Sequence, residues 1–163
     1  MDVVIRPVRD GDVQDLVELA VLAWEPVFRS FEQVLGPTIY ALLYPDWRQR
    51  QQNAVERVCA DGEMNVWVAD VDGVVTGFIA YEMNLAEETG EVDLLAMHPA
   101  YQNRGIGTKL NTFALDKMSE SGVRLAVVAT GGDPGHAPAR RSYEKAGYTP
   151  LPLVRYYKDL KDL

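Results

Sequence analysis

Cysteine is nearly missing from this sequence. Cys59 stands alone among 163 residues, so no internal disulfide can form and a reducing, cytoplasmic setting is expected. Histidine is almost as scarce: His98 and His136 lie far from each other and from Cys59, offer no zinc-ligand spacing, and predict no metal. No apolar run approaches the roughly 18 residues that a membrane span needs. The start, Met1-Asp-Val-Val-Ile, has no basic n-region, so neither a secretory signal nor a membrane partner is expected. Positive charge is in deficit, 16 Lys and Arg against 24 Asp and Glu, for a formal charge of −8. Nucleic-acid binding relies on a dense basic face, so nucleic acid is excluded as a partner. The same charge steers cationic substrates, although it also simply keeps a surface solvated. A Gly-x-Ser-x-Gly elbow is absent, which removes the serine hydrolases built on it.

What is present suits one α/β domain. The chain is long enough to bury about two-thirds of its unfolded surface, and no internal linker, repeat or low-complexity stretch divides it. Val3 to Arg9 alternates as a first strand. Asp12 is placed as an N-cap, followed by the helical stripe Val13, Leu16, Val17, Ala20 and Trp24 up to Pro26. Ser30 with Gln33 predicts a second helix, closed at Gly36-Pro37. Ile39 to Tyr44 reads as a short helical piece, and Asp46 caps a helix running to Cys59. The period then changes to two. Asn65–Val71 and Val74–Glu82 flank Asp72-Gly73, a strong hairpin signal. Met83 to Gly90 reads as a loop and Val123 to Thr130 as a buried strand. Pro138 opens a further helix that stops at Gly147. Tyr148–Leu151 and Val154–Asp159 are expected to close the chain as two more strands.

The organising stretch is Glu91-Val-Asp-Leu-Leu-Ala-Met-His-Pro-Ala-Tyr-Gln-Asn-Arg-Gly-Ile-Gly-Thr-Lys-Leu110. Glu91 to Met97 is apolar-rich and stops at Pro99. Gln102 to Gly107 then turns into a helix on which Ile106, Leu110, Phe113, Ala114 and Met118 recur at helical spacing. A glycine-rich turn at a helix start aims several N–H groups at one point, where the helix dipole also favours an anion. Gly105 and Gly107 let a phosphate approach the main chain, so the turn reads as a pyrophosphate cradle. Two other phosphate motifs fail. Gly107-Thr-Lys109 does not complete a Walker loop, and Leu110 stands where a Rossmann fingerprint needs a third glycine.

Gln-x-x-Gly-x-Gly after a strand ending in Met97-His-Pro resembles the acetyl-CoA loop of the GNAT superfamily of acyl-CoA N-acyltransferases. Ala139-Arg-Arg-Ser-Tyr-Glu-Lys-Ala-Gly-Tyr148 resembles that family's Ala-x3-Tyr-x3-Gly-aromatic helix. The resemblance covers about Glu91 to Lys158. It implies a single GNAT domain over residues 1–163, a central mixed sheet of about six to seven strands with helices on both faces, and a homodimer as an open possibility. It also implies acetyl transfer from acetyl-CoA to a primary amine, of a small molecule or a peptide, by direct attack and without a metal. The main chain of Met97 and of Gln102, Asn103, Arg104, Gly105, Ile106, Gly107 and Thr108 would hold the cofactor, with Arg104 and Lys109 adding charge. Tyr143 would be the general acid. Glu91, or Asp93 through water, would be the base. Many family members carry Asn seven positions before the tyrosine, where this chain has His136, which would then contact the cofactor or act as a base. Trp24, Phe28 and Glu82 are the expected acceptor contacts. The alternative is a GNAT-fold sensor or structural protein that binds acyl-CoA without catalysis.

Overall fold

A computed structural model describes residues 1–161. Strand β1 (Val3–Pro7) leads through a 3₁₀ turn at Asp10–Asp12 into the long helix α1 (Val13–Leu35), then α2 (Pro37–Leu43) and α3 (Trp47–Ala60). Strands β2 (Asn65–Val71), β3 (Val74–Asn84) and β4 (Thr89–Met97) follow, then α4 (Ile106–Glu120), β5 (Leu125–Val128) and α5 (Ala137–Lys145). The sheet order is β1-β2-β3-β4-β5, antiparallel except for the parallel pair β4 and β5.

Alternation along the strands supplies two cores. On one face Val68, Phe78, Ala80 and Ala96 meet Leu16, Leu19 and Ala20 of α1 and Val55 and Val58 of α3. On the other, Val71, Ile79, Tyr81 and Val92 meet Ile106, Leu110, Ala114 and Met118 of α4. Helices therefore cover both faces, and each buried aliphatic side chain contributes roughly 1.5–3 kcal/mol of transfer free energy. Asp72 (φ 52°) and Gly73 (φ 84°) make the expected tight turn between β2 and β3.

Four expectations change. The sheet has five strands among the described residues. Tyr148–Leu151 and Val154–Asp159 carry no strand pairing, and Pro150 and Pro152, which have no N–H to donate, interrupt this segment. β5 is an exposed edge rather than a buried strand, with Leu125 61% accessible. No second helix starts at Ser30. α1 runs on through Pro26 to Leu35, and Ser30 is a buried residue of its interior. Asp12 precedes α1, but its carboxylate makes no capping bond to the helix.

Arg6 takes that carboxylate instead. Its guanidinium forks onto Asp12 at 2.8 and 3.0 Å and reaches Asp70 at 3.1 Å, while the Arg9 N–H donates to Asp12 at 2.7 Å. The Arg6 hydrogen bond, opposed by burial, holds the Asp12 carboxyl below its usual range. A carboxylate with a lowered folded-state pKa stabilises fully above its unfolded value, and loses that stabilisation as pH falls through the folded value. Asp12→Asn should therefore cost roughly 1–3 kcal/mol at pH 7. Urea unfolding at pH 7 and pH 3 checks this: the gap between wild type and variant should narrow in acid, and an equal gap at both would remove the charge from the explanation.

Candidate active site

β4 determines where the cleft lies. Opposite β3, Leu94 pairs with Ala80 and Val92 with Tyr81, so Asp93 is an extra residue that bulges the strand. The parallel ladder with β5 runs from Thr89–Leu125 to Val92–Val128 and stops. Beyond it, Val92–Met97 on one side and Val128–Thr130 on the other wall a cleft of about 610 Å³. Because α1 and α3 cover one face of the sheet and α4 the other, the cleft passes between two differently furnished ends. Leu22, Trp24, Val27 and Gln51 line the first; Gln102, Gly107, Thr108 and Tyr143 line the second.

The α4 end is built to meet an anion. Asn103 (φ 62°) and Gly105 (φ 79°) both adopt the left-handed conformation, which asparagine tolerates and glycine takes freely. The Gln102 side chain donates to the Met97 carbonyl at 3.1 Å, tying the turn to the end of β4. The Lys109 N–H closes the first bond of α4, on the Gly105 carbonyl at 3.1 Å. The N–H groups of the first helical turn before it are thus the unpaired donors that every helix start presents. Of the cradle residues, Gln102, Asn103, Gly105, Gly107 and Thr108 line the cleft. Ile106 points into the core, Lys109 is exposed outside the lining, and Arg104 lies over the Tyr101 ring at 5.3 Å.

Tyr143 lines the same cleft from α5. Burial, with help from Tyr148 edge-on at 5.8 Å, pushes its phenol up to about 12. It therefore keeps its proton at neutral pH. The Asn111 side chain on α4 donates to Ser142 Oγ at 3.1 Å, which fixes α5 one residue before the tyrosine.

The carboxylates separate. Asp93 lines the cleft, whereas Glu91 does not and sits directly across from Glu82, itself outside the lining. Glu91 and Asp93 are both exposed on either side of buried Val92, but only Asp93 stands where the ladder to β5 has ended. Trp24 lines the cleft as expected. Phe28 instead stacks on Trp47 at 4.3 Å and packs edge-on against Tyr44, in a helix–helix contact outside it. Pro26 has no N–H for the Leu22 carbonyl four residues back, and both residues line the cleft. His136 lines it too, with Nδ1 2.5 Å from Asp133 Oδ1. Arg141 and Lys145, one helical turn apart on α5, were not expected in the site; their i, i+4 spacing is the signal that marks a shared face. Asp133 and Ser30 were also missed, and neither has a sequence signal of its own. Among the described residues no group of three or more His, Cys, Asp or Glu is arranged to hold a metal, and no helix is long and apolar enough to cross a membrane.

The model of the Acetyltransferase (GNAT) family matches residues 25–148. The chain belongs to that family. Its fold is similar to the GNAT fold of the PaiA N-acetyltransferase of Thermoplasma acidophilum in complex with coenzyme A, at a TM-score of 0.68 and 19% identity over 91% of each chain. It is also similar to AAC(6')-Iy bound to the bisubstrate analogue CoA-S-monomethyl-acetylneamine, at a TM-score of 0.64 and 15% identity over 98% of this chain and 99% of that one. A mycothiol acetyltransferase of Beutenbergia cavernae is 36% identical over 69 residues, which are 42% of this GNAT chain and 23% of the relative. The chain thus spans about a quarter of the length of that curated relative.

The two cradle glycines should behave differently. A Cβ on Gly107 would meet only Met97 Cγ at 3.7 Å and Ser142 Oγ at 3.9 Å, ordinary contacts, whereas Gly105 holds a conformation that L side chains resist. Gly105→Ala should cost about 1–2 kcal/mol, and Gly107→Ala should leave stability unchanged or slightly improved. Thermal unfolding of the two variants side by side measures this, and equal losses would contradict it.

Proposed function

We propose that this GNAT domain moves an acetyl group from acetyl-CoA to a primary amine by direct attack. The observation that carries the reading is the cleft between β4 and β5, with helix-start donors and a half-buried, protonated Tyr143 on the same side of it. Acyl-CoA use is supported by neighbours of the same fold with coenzyme A or a coenzyme A bisubstrate analogue bound. In this scheme the main-chain donors of Gly105 to Thr108 take the pyrophosphate, with Arg141 and Lys145 adding charge. The N–H of Met97 meets the thioester oxygen. The acceptor enters from the α1 side, past Trp24, where Asp93 and the Leu22 carbonyl attract an ammonium. Its nitrogen, once deprotonated, attacks the acyl carbon and the C–S bond breaks. Tyr143 gives its proton to the departing thiolate. Of the β4 carboxylates, Asp93 is open to the cleft and Glu91 is not, so a β4 base acting through water would be Asp93.

The scheme has three checks. Calorimetric titration should give micromolar binding of acetyl-CoA and none of ATP, and Gly107→Ala should weaken the former without lowering the melting temperature. Tyr143→Phe should keep acetyl-CoA binding and lose at least about tenfold in kcat, the low end of what a general acid contributes. Unchanged turnover would remove Tyr143 from the chemistry. Binding of acetyl-CoA with no thiol release across linear diamines, amino sugars and short peptides would favour a non-catalytic acyl-CoA sensor.

We also propose that two copies pair through the C-terminal segment. Leu151, Leu153, Val154 and Tyr156 are 76–88% accessible, and the outer edge of β5 has no partner strand among the described residues. Unpaired apolar strand edges recruit another chain. Light scattering should give a dimer for the full chain and a monomer after deletion of residues 149–163; a monomeric full chain would overturn the pairing.

A further inference from the structure

The loop between β5 and α5 holds a built side-chain cluster that acetyl transfer, as proposed above, has not used. Asp133 Oδ1 lies 2.5 Å from His136 Nδ1, and Ser30 Oγ donates to Asp133 Oδ2 at 2.7 Å. The Gly135 N–H reaches both Ser30 Oγ, at 3.0 Å, and Asp133 Oδ2, at 3.1 Å. Arg140 clamps the loop by donating to the carbonyls of Gly131 and Asp133 at 2.6 and 2.7 Å. The side chains of Asp133 and His136 are only 8% and 15% accessible. The glycines fit around them. A Cβ on Gly131 would stand 2.3 Å from Asp133 Oδ1 and 2.6 Å from His136 Nδ1, and one on Gly135 would stand 2.6 Å from Ser30 Cβ.

The cluster belongs to the α1 end of the cleft. The 3₁₀ turn at Pro134–His136 packs on α1, where the imidazole lies against Phe31 with centroids 5.3 Å apart. This is the end assigned above to the acceptor, away from the α4 cradle. Burial works to raise the Asp133 carboxyl, but hydrogen bonds from Ser30 and His136 outweigh it and hold it below its usual range. An ionised carboxylate can only accept, so Nδ1 carries the hydrogen and donates it. The other ring nitrogen, Nε2, then keeps its lone pair on a residue that lines the cleft.

We infer that His136, oriented by Asp133 and Ser30, is the base that takes the proton of the acceptor ammonium, in place of a carboxylate on β4. The step balances. Nε2 takes one proton from R–NH3⁺, the free amine forms its bond to the acyl carbon, the C–S bond breaks, and the thiolate receives the Tyr143 proton. The proton lost as the amide nitrogen neutralises reprotonates the Tyr143 phenolate by way of solvent, and the imidazolium releases its own to solvent, so one proton leaves in all. Asp133 and Ser30 are positioning residues.

This inference rests on the acetyl-transfer reading, and its test separates the two. His136→Asn keeps a hydrogen-bonding side chain that cannot take the proton. It should bind acetyl-CoA within about twofold of wild type while losing at least about tenfold in kcat/KM for the amine. His136→Ala should regain activity on addition of imidazole, a response that a merely structural histidine would not give, and Ser30→Ala should show a smaller loss of the same kind. Normal kcat/KM in His136→Asn, or a loss carried by Asp93→Asn instead, would overturn the assignment. Wild type that releases no thiol with any amine would overturn acetyl transfer itself. Nitrogen-15 NMR of the imidazoles at pH 8 then still decides whether the proton of His136 sits on Nδ1, as expected, or on Nε2, which would overturn the inference. His98 is the other histidine in the sequence, so the His136→Asn spectrum assigns the signals.

Discussion

Everything around the cleft depends on β4 giving up its ladder to β5 after Val92. Up to that point the two strands share backbone hydrogen bonds, and Val92, Ala126 and Val128 pack into the core on the α4 side. At the next residue Asp93 is inserted without an opposite number on β3, and a bulge of this kind bends its strand and sharpens the local twist. β5 then ends at Val128, and the main chain on the open edge of β4 faces a cavity instead of a neighbour. Backbone groups left unpaired inside a protein are costly unless something else meets them. A bound extended ligand can meet them, which is why the interruption of the sheet is also the place where chemistry becomes possible.

The two ends of the cleft differ in charge sense because different elements reach them. At the α4 end, helix-start N–H groups and the cations Arg141 and Lys145 present positive potential. At the α1 end, Leu22, Asp93 and His136 line the cleft. The acetyl-transfer scheme proposed above uses this difference, with the acyl donor at one end and the amine at the other. In that scheme the net charge of −8 would favour a cationic acceptor.

Local pattern made much of this readable. The stripe from Val13 to Trp24, the Asp72-Gly73 turn and the Gln102–Gly107 turn each have short-range causes, and each appears where its residues predict. The Tyr-x3-Gly-aromatic context singled out Tyr143, which lines the cleft. Position relative to the sheet was not. Phe28 and Trp24 look alike on the helix, but Phe28 is drawn into a stack on Trp47 while Trp24 is left at the cleft. Ser30 resembles a helix cap in sequence. Its hydroxyl is instead used 103 residues away, on Asp133, and the helix simply continues through it.

By itself, then, the sequence determined most of the elements, their order and the family, because period, turn chemistry and a glycine-rich helix start act over a few residues. Tertiary structure decided which polar groups face one another. Arg6 claims Asp12 from its helix, Asp93 lines the cleft while Glu91 does not, and Asp133 meets both Ser30 and His136. It also decided that the last apolar segment, Leu151 to Tyr156, stands outside the sheet. These outcomes depend on register and on contacts between segments distant in the chain, where one residue more or less in a strand changes which side chains share a site.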